Sequence, residues 1–384
     1  MHRVPADPID LLRTRTSAKW RSYPDDVLPL PVAEMDYPLA EPIAEALHAA
    51  IRRSDTGYHS GSRPVAEAFA PFAARRLGWE IDPARVTCTA DVSMGIVEML
   101  RRTVQPGDGV VVMPPIYPPF FDLVTEAGAA VVEVPLAGGI DEGWRLDLLG
   151  IEAALAGGAR AVLLCNPHNP TGLVHAAEDL SALADLAKGF GATVVSDEVH
   201  GPLAQPATPY TPFLTVSDEA REVGIAITAA TKAFNLAGLK AAMIVTASDR
   251  GDRVREALPY EVEWRMGQFG AIASIAAFTE GGSWLDGVLA SIDDNRRLLA
   301  DLIADELPGV RYRIPDATYL AWLDLTALGW GDDPAAYALE HAKVALANGP
   351  AFGASVGTGH ARLNLACSPE VLAEAVTRIA DARG

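Results

Sequence analysis

Long hydrophobic runs are missing from this chain. No stretch approaches the ~18 apolar residues that span a bilayer, and the N-terminal MHRVPADPID has no apolar core of the kind a secretory signal carries. Neither membrane insertion nor secretion is expected. Cysteine is scarce, with Cys88, Cys165 and Cys367 alone in 384 residues and no CxxC spacing. That argues against a disulfide framework or a zinc knuckle, and for a reducing compartment, the cytoplasm by default. The eight histidines show no ligand spacing such as HExxH, so no metal is expected. Basic charge is short as well: 31 Lys and Arg face 50 Asp and Glu, for a net charge of −19. Such a balance opposes nucleic acid or an anionic membrane as partner. It leaves room for small anions, which answer to local cations and helix N-termini. Lysine is the rarest basic type: Lys19, Lys188, Lys232, Lys240 and Lys343, against 26 arginines.

What is present is an ordinary globular composition, 49% hydrophobic and 21% charged. The length is about two and a half times an ordinary ~150-residue domain. Between about residues 84 and 248, short apolar runs alternate with amphipathic stretches such as Ser93–Val104 and Ala176–Phe190. The runs are Val86–Ala90, Gly109–Met113, Ala129–Val134, Arg160–Cys165, Ala192–Ser196, Gly224–Thr231 and Lys240–Thr246. This alternation predicts an α/β fold with a mostly parallel sheet sandwiched by helices. The two ends read as α+β: a helix over Glu41–Ile51, a long one over 284–307, strands at Tyr319–Leu325 and Ala361–Ala366, and a helix near 334–347. The expected division is a large domain over 52–260, with 1–51 and 261–384 forming an N-terminal arm and a smaller domain.

Ligands of such sheets bind beyond the carboxyl ends of the strands, so the residues that follow each strand matter most. After ARAVLLC comes NPHNPTG (166–172), after ATVVS comes DEVH (197–200), and after GIAITAAT comes KAFNLAGLK (232–240). Singly each has a bland reading: a turn, a helix cap, a snorkelling lysine. In this order they bring an amide, a carboxylate and a lysine to one sheet edge. A lysine in an apolar segment tends to a lowered pKa and to Schiff-base chemistry. A buried carboxylate can hold a pyridine nitrogen protonated, and the pair suits pyridoxal 5′-phosphate.

With these residues in hand, the chain resembles fold type I pyridoxal-phosphate enzymes of the class I/II aminotransferase superfamily. The segments VAEMDYP (32–38), GYHSG (57–61), PPIYPPF (114–120), NPHNPTG, DEVHGPL (197–203), TKAFNLAGLK (231–240) and ATYLAWLD (317–324) are similar to those of bacterial cystathionine β-lyases and related cysteine C–S lyases. The resemblance spans roughly residues 15 to 375. It implies that Lys232 is the Schiff-base lysine and the base that takes the Cα proton. It implies Asp197 as partner of the pyridinium, and Asn169 as donor to the cofactor's phenolic oxygen. Tyr117 would stack on the ring, and His200 would touch the cofactor side. Thr231, Lys240 and the backbone N–H groups of Val92 and Ser93 would bind the phosphate. Arg362 would clamp the substrate carboxylate, with Asn169 beside it. Tyr58 would reach the cofactor phosphate and substrate of a neighbouring subunit, which implies a homodimer with shared sites. The implied reaction is β-elimination from cystathionine or another L-cysteine S-conjugate, giving pyruvate, ammonia and a thiol. An aminotransferase acting with a 2-oxo acid uses the same core residues, and a non-catalytic regulatory protein could keep the same fold.

The chain departs from the family pattern at three places. Asp91 stands where a glycine is usual in the phosphate turn, Glu34 where an aspartate is common, and Ala229 where a serine is often found. The expectation for Asp91 is a side chain turned away from the phosphate or meeting a substrate cation.

Overall fold

In the computed structural model, which describes residues 2–383, seven short apolar runs pair into one sheet. They are β1 (Val86–Thr89), β2 (Gly109–Val112), β3 (Ala130–Glu133), β4 (Ala159–Cys165), β5 (Thr193–Asp197), β6 (Gly224–Thr228) and β7 (Ala242–Val245). The spatial order is β1-β7-β6-β5-β4-β2-β3. All neighbours are parallel except β7, which runs antiparallel to both β1 and β6. Parallel strands require crossovers, and helices supply them on both faces. The two-residue period of the pleat sorts side chains between those faces. Val110 and Val112 bury with Ile96, Leu100 and Phe120 on one side, and Val111 and Met113 join Leu180 and Leu183 on the other.

Three helices set up the site and its support: α1 (Glu41–Arg52), α2 (Arg63–Leu77) and α3 (Val92–Thr103). Helix α3 lies close on the sheet because Gly95 has no side chain there; a Cβ would come within 2.9 Å of Ile227 Cγ2. Farther along, α4 (Gln268–Glu280) packs on α1 and α2. It is followed by the 25-residue α5 (Gly282–Glu306). The smaller layer is an antiparallel sheet of β8 (Arg311–Tyr312), β9 (Leu320–Asp324), β10 (Ala347–Asn348) and β11 (His360–Asn364) in the order β8-β9-β11-β10. The C-terminal α6 (Pro369–Asp381) packs on α5 beside it.

The apolar clusters divide the chain elsewhere than at residues 51 and 260. Ile43 of α1, Ala273 and Phe278 of α4, and Leu285 to Ile292 of α5 share a core with the large sheet. Leu299 and Ile303 of the same α5 bury instead with Leu28, Leu323, Leu363 and Ile379. We propose that the division runs through α5, with α1 and α4 on the side of the large sheet. Helix periodicity alone cannot reveal such a split, because one continuous apolar stripe serves two cores.

Two local expectations are corrected. The helix near 334–347 is short, covering Pro334–Tyr337 with a wide turn over Ala338–Ala342. Lys343 then takes a left-handed conformation, φ +56°, and Val344–Ala345 pairs in parallel with Leu28–Pro29. The run at 240–246 begins its strand at Ala242, since Lys240 is also left-handed at φ +59°.

The segment 31–37 has no regular structure, so its backbone groups must find other partners. Asn364 Nδ2 donates to the carbonyls of Val32 and Glu34 at 2.7 and 2.6 Å. Asn235 bonds Met35 in both directions at 2.9 Å, and Asp36 N–H reaches Ala366 O at 2.8 Å. Asp36 itself is buried against Lys19 Nζ at 2.8 Å, the two side chains 1% and 0% exposed. The indole N–H of Trp20 donates to the same carboxylate at 3.1 Å. Breaking a buried pair leaves an uncompensated charge, so Asp36→Ala is expected to lose about 3–5 kcal/mol of unfolding free energy in urea titration. The double variant Lys19→Met/Asp36→Leu, which removes both charges, is expected to recover most of that loss.

Candidate active site

Asp197 closes β5, paired in register with Cys165 of β4 and Ile227 of β6, at the carboxyl edge of the parallel strands. Asn169 follows β4, and Thr231 and Lys232 follow β6. These residues meet Val92 and Ser93 of α3, Tyr117, His200, Lys240 and Arg362 around one cavity of about 430 Å³. The remaining wall includes Tyr23, Pro31, Val32, Ala33 and Ile96. A larger space of about 570 Å³ lies between Phe72, Arg76, Gln205 and Tyr210, but its lining has no lysine, so size alone does not locate the chemistry. Tyr58 is the one expected site residue not brought to this cavity. It is 87% exposed and meets Trp264 edge-on at 6.0 Å.

Of the charged groups that line the cavity, Lys232, Asp197 and Arg362 have shifted pKa values. Burial and then the neighbouring Arg362 lower the Lys232 amine to about 8, with Asp197 and Glu34 acting in the opposite sense. Burial raises the Asp197 carboxyl to about 6, against the Val199 N–H and Lys232, which favour its charge. That N–H donates to Asp197 Oδ1 at 3.1 Å. Burial likewise lowers Arg362 to about 10. Its guanidinium donates to Asn169 Oδ1 at 3.0 Å and to Pro31 O at 2.7 Å and lies over the Phe352 ring at 5.0 Å. The Lys232 amine donates to Ala33 O at 3.2 Å, and the Tyr319 hydroxyl to the same oxygen at 2.9 Å. His200 is held neutral, its pKa lowered to about 3 by burial and then by Lys232 and Arg362.

The cradle at the start of α3 departs from expectation at Asp91. Its carboxylate neither turns away nor waits for a substrate cation: Oδ1 accepts from Met94 N–H at 2.9 Å, capping the helix, and Oδ2 pairs with Lys240 Nζ at 3.0 Å. Val92 and Ser93 occupy the first two helical positions, whose N–H groups have no acceptor inside the helix.

These residues fit pyridoxal 5′-phosphate. A lysine amine with a depressed pKa, an enclosed carboxylate and unsatisfied helix N–H groups line one space. Two buried nitrogens there, Arg362 Nε and His200 Nδ1, have no hydrogen-bond partner among the described residues, which fits a site built for a polar group.

Comparison with known proteins accounts for this arrangement. Residues 25–379 match the family described as aminotransferase class I and II. The chain belongs to that family. Cystathionine beta-lyase of Corynebacterium glutamicum is 35% identical, over 97% of this chain and 98% of the relative. Cystathionine beta-lyase PatB of Bacillus subtilis (strain 168) is 34% identical, over 92% of each. Among solved structures, cystalysin from Treponema denticola superposes with a TM-score of 0.90 at 26% identity, over 96% of each chain. That structure contains a pyridoxal 5′-phosphate cofactor. Fold type I architecture and dependence on pyridoxal 5′-phosphate follow for this member of the family.

Several supporting groups carried no assigned role in the sequence reading. The carbonyls of Pro31 and Ala33, which take the hydrogen bonds of Arg362 and Lys232, are backbone atoms with no side-chain signature. Glu198, next to Asp197, faces away from the cavity and accepts from Ser196 Oγ at 2.9 Å, from Phe213 N–H at 2.8 Å and from the Tyr210 hydroxyl. The adjacent acidic pair at a strand end was the available signal, since successive residues of a strand point to opposite faces.

The lowered pKa of Lys232 has a measurable consequence for the cofactor-free protein. Folding disfavours its proton, so the penalty is complete below about pH 8 and fades as pH rises toward the ordinary 10.5. Lys232→Met is therefore expected to be more stable than the parent at pH 7, on the order of 1–3 kcal/mol. That advantage should shrink toward zero by about pH 10.5, as read from urea melts at both pH values.

Proposed function

We propose that this chain is a pyridoxal-phosphate-dependent carbon–sulfur lyase that acts on cystathionine or related L-cysteine S-conjugates, releasing a thiol, pyruvate and ammonia. The observation that carries the reading is the enclosed Lys232, near pKa 8 between Arg362 and Asp197. It sits in a chain that matches cystathionine β-lyases over nearly its whole length.

Bound in the cavity, pyridoxal 5′-phosphate supplies the electron sink that allows a Cα–H bond and then a Cβ–S bond to break. The protein's own residues supply position and protons. Arg362 presents a planar fork suited to a substrate carboxylate, and its bond to Asn169 keeps that fork from rotating. Part of Lys232 is unprotonated near neutral pH, so its amine can take the proton at Cα and deliver it elsewhere. Asp197 would set negative charge against a protonated ring nitrogen, Asn169 and Tyr117 would hold the ring, and neutral His200 would add no competing charge. Thr231, Lys240 and the first N–H groups of α3 would hold the phosphate, with Ala229 offering no hydroxyl to assist them.

The working unit in this reading is a homodimer in which Tyr58 reaches the neighbour's cavity. Its exposure beside Trp264 supports that role. A cytoplasmic location is part of the reading, supported by three buried cysteines without a disulfide.

The rival activity within the family is transamination, for which Lys232, Asp197, Asn169 and Arg362 would serve equally. Cystathionine incubated with the enzyme is expected to yield pyruvate with no 2-oxo acid added, and Lys232→Ala should lower that rate at least about 1,000-fold. Strict dependence on an added 2-oxo acid would make the protein an aminotransferase. Mixing Lys232→Ala and Tyr58→Ala subunits is expected to regain activity through hybrids with one intact site. No recovery would count against shared sites.

A further inference from the structure

The start of α3 is an anion site with two claimants. Asp91 lines the same cavity as Lys240 and Ser93, and its carboxylate already takes what an anion there would use: the N–H of Met94 at 2.9 Å and the Lys240 ammonium at 3.0 Å. Helix N-termini and ammonium groups favour negative charge, and a cofactor phosphate brought to Val92, Ser93 and Lys240 would sit beside a carboxylate of the same sign. The pair is accessible to solvent, with the Lys240 side chain 59% exposed and that of Asp91 26%. An ion pair so placed is held weakly enough to give way to a dianion.

We infer that Asp91 is an intramolecular competitor for the cofactor phosphate, occupying Lys240 in the cofactor-free protein and surrendering it on loading. Two properties of Asp91 separate cleanly. As a helix cap it needs only an acceptor oxygen, which asparagine or serine also provides; as a competitor it needs its charge. The side chain therefore loosens the grip on the cofactor without being required for the fold of α3. The role rests on the pyridoxal-phosphate reading given above and adds to it a charge that opposes loading.

The test is titration of the full-length, cofactor-stripped protein with pyridoxal 5′-phosphate, and in parallel with pyridoxal, which lacks the phosphate. Asp91→Asn is expected to lower the dissociation constant for pyridoxal 5′-phosphate on the order of tenfold, the scale of one unit-charge repulsion at a partly exposed site. Its affinity for pyridoxal should stay within about twofold of the parent. Asp91→Ser, a second neutral cap, should behave the same way. Unchanged or weaker phosphate-dependent binding in both variants overturns the inference, as does an equal gain for pyridoxal. Failure of both neutral variants to fold overturns it as well, since the charge would then be structural. A parent protein that takes up no pyridoxal 5′-phosphate at all would instead sink the functional reading.

Discussion

Lys232 and Arg362 bring like charge into one small enclosed space, and the carboxylate of Asp197 answers them without forming a direct ion pair with either. Everything else near the cavity can be understood as a response to that constraint. Burial raises the cost of each charge, so each has to be stabilised by fixed dipoles or be given up through a change of protonation. The carbonyls of Pro31 and Ala33 accept from Arg362 and Lys232, and the Val199 N–H serves Asp197. The compromise leaves an amine that can exchange a proton near neutral pH and a carboxylate that keeps its charge, while His200 stays neutral. A fully solvated lysine or a tightly paired one would not have that property.

The irregular segment 31–37 is what makes those carbonyls available. A helix or strand would have spent them on its own ladder. Here the ladder is replaced by single side chains drawn from distant parts of the chain: Asn364 on Val32 and Glu34, and Asn235 on Met35. The Lys19–Asp36 pair with Trp20 anchors the far end of the segment. Asn235 accepts a left-handed backbone, φ +57°, a conformation that asparagine tolerates better than most residues. Its side chain thereby meets Met35 from the segment just after Lys232, so the position of the amine and that of its acceptor are coupled through a few bonds.

The seven strands of the large sheet and their order of chemistry were legible in the sequence because parallel strands are buried on both faces and read as near-continuous apolar runs. Polar residues at their carboxyl ends then stand out, which is how Asn169, Asp197 and Lys232 were found. Less was legible where one element serves two environments. The division proposed through α5 leaves no mark in its periodicity, and the early end of the helix at 334–342 depends on Lys343 adopting a left-handed turn to meet Leu28. Asp91 was recognised as unusual, yet its partner was misjudged. The strand register that places Lys240 beside it joins residues 149 positions apart, a distance over which local pattern carries no information. Tyr58 stands apart, exposed beside Trp264 and away from the cavity of its own chain.

The cavity also has a history written into its connectivity. Its walls come from Tyr23 and the 31–33 segment at one end of the chain and from Arg362 at the other, with Asn364 gripping the early segment from β11. During synthesis the first of these residues emerges long before the last, so the Pro31 carbonyl must wait for its Arg362 donor while more than three hundred residues follow it. The large sheet can pair and collapse in that interval, because its strands all lie between residues 86 and 245. The site cannot form until β11 has docked. Assembly of the catalytic space is thus one of the latest events in the maturation of the chain, and contacts of such long sequence separation are the slow ones to form. A nascent chain cut short before β11 would carry the lysine and the carboxylate but have neither the guanidinium nor the clasp that brings them to account.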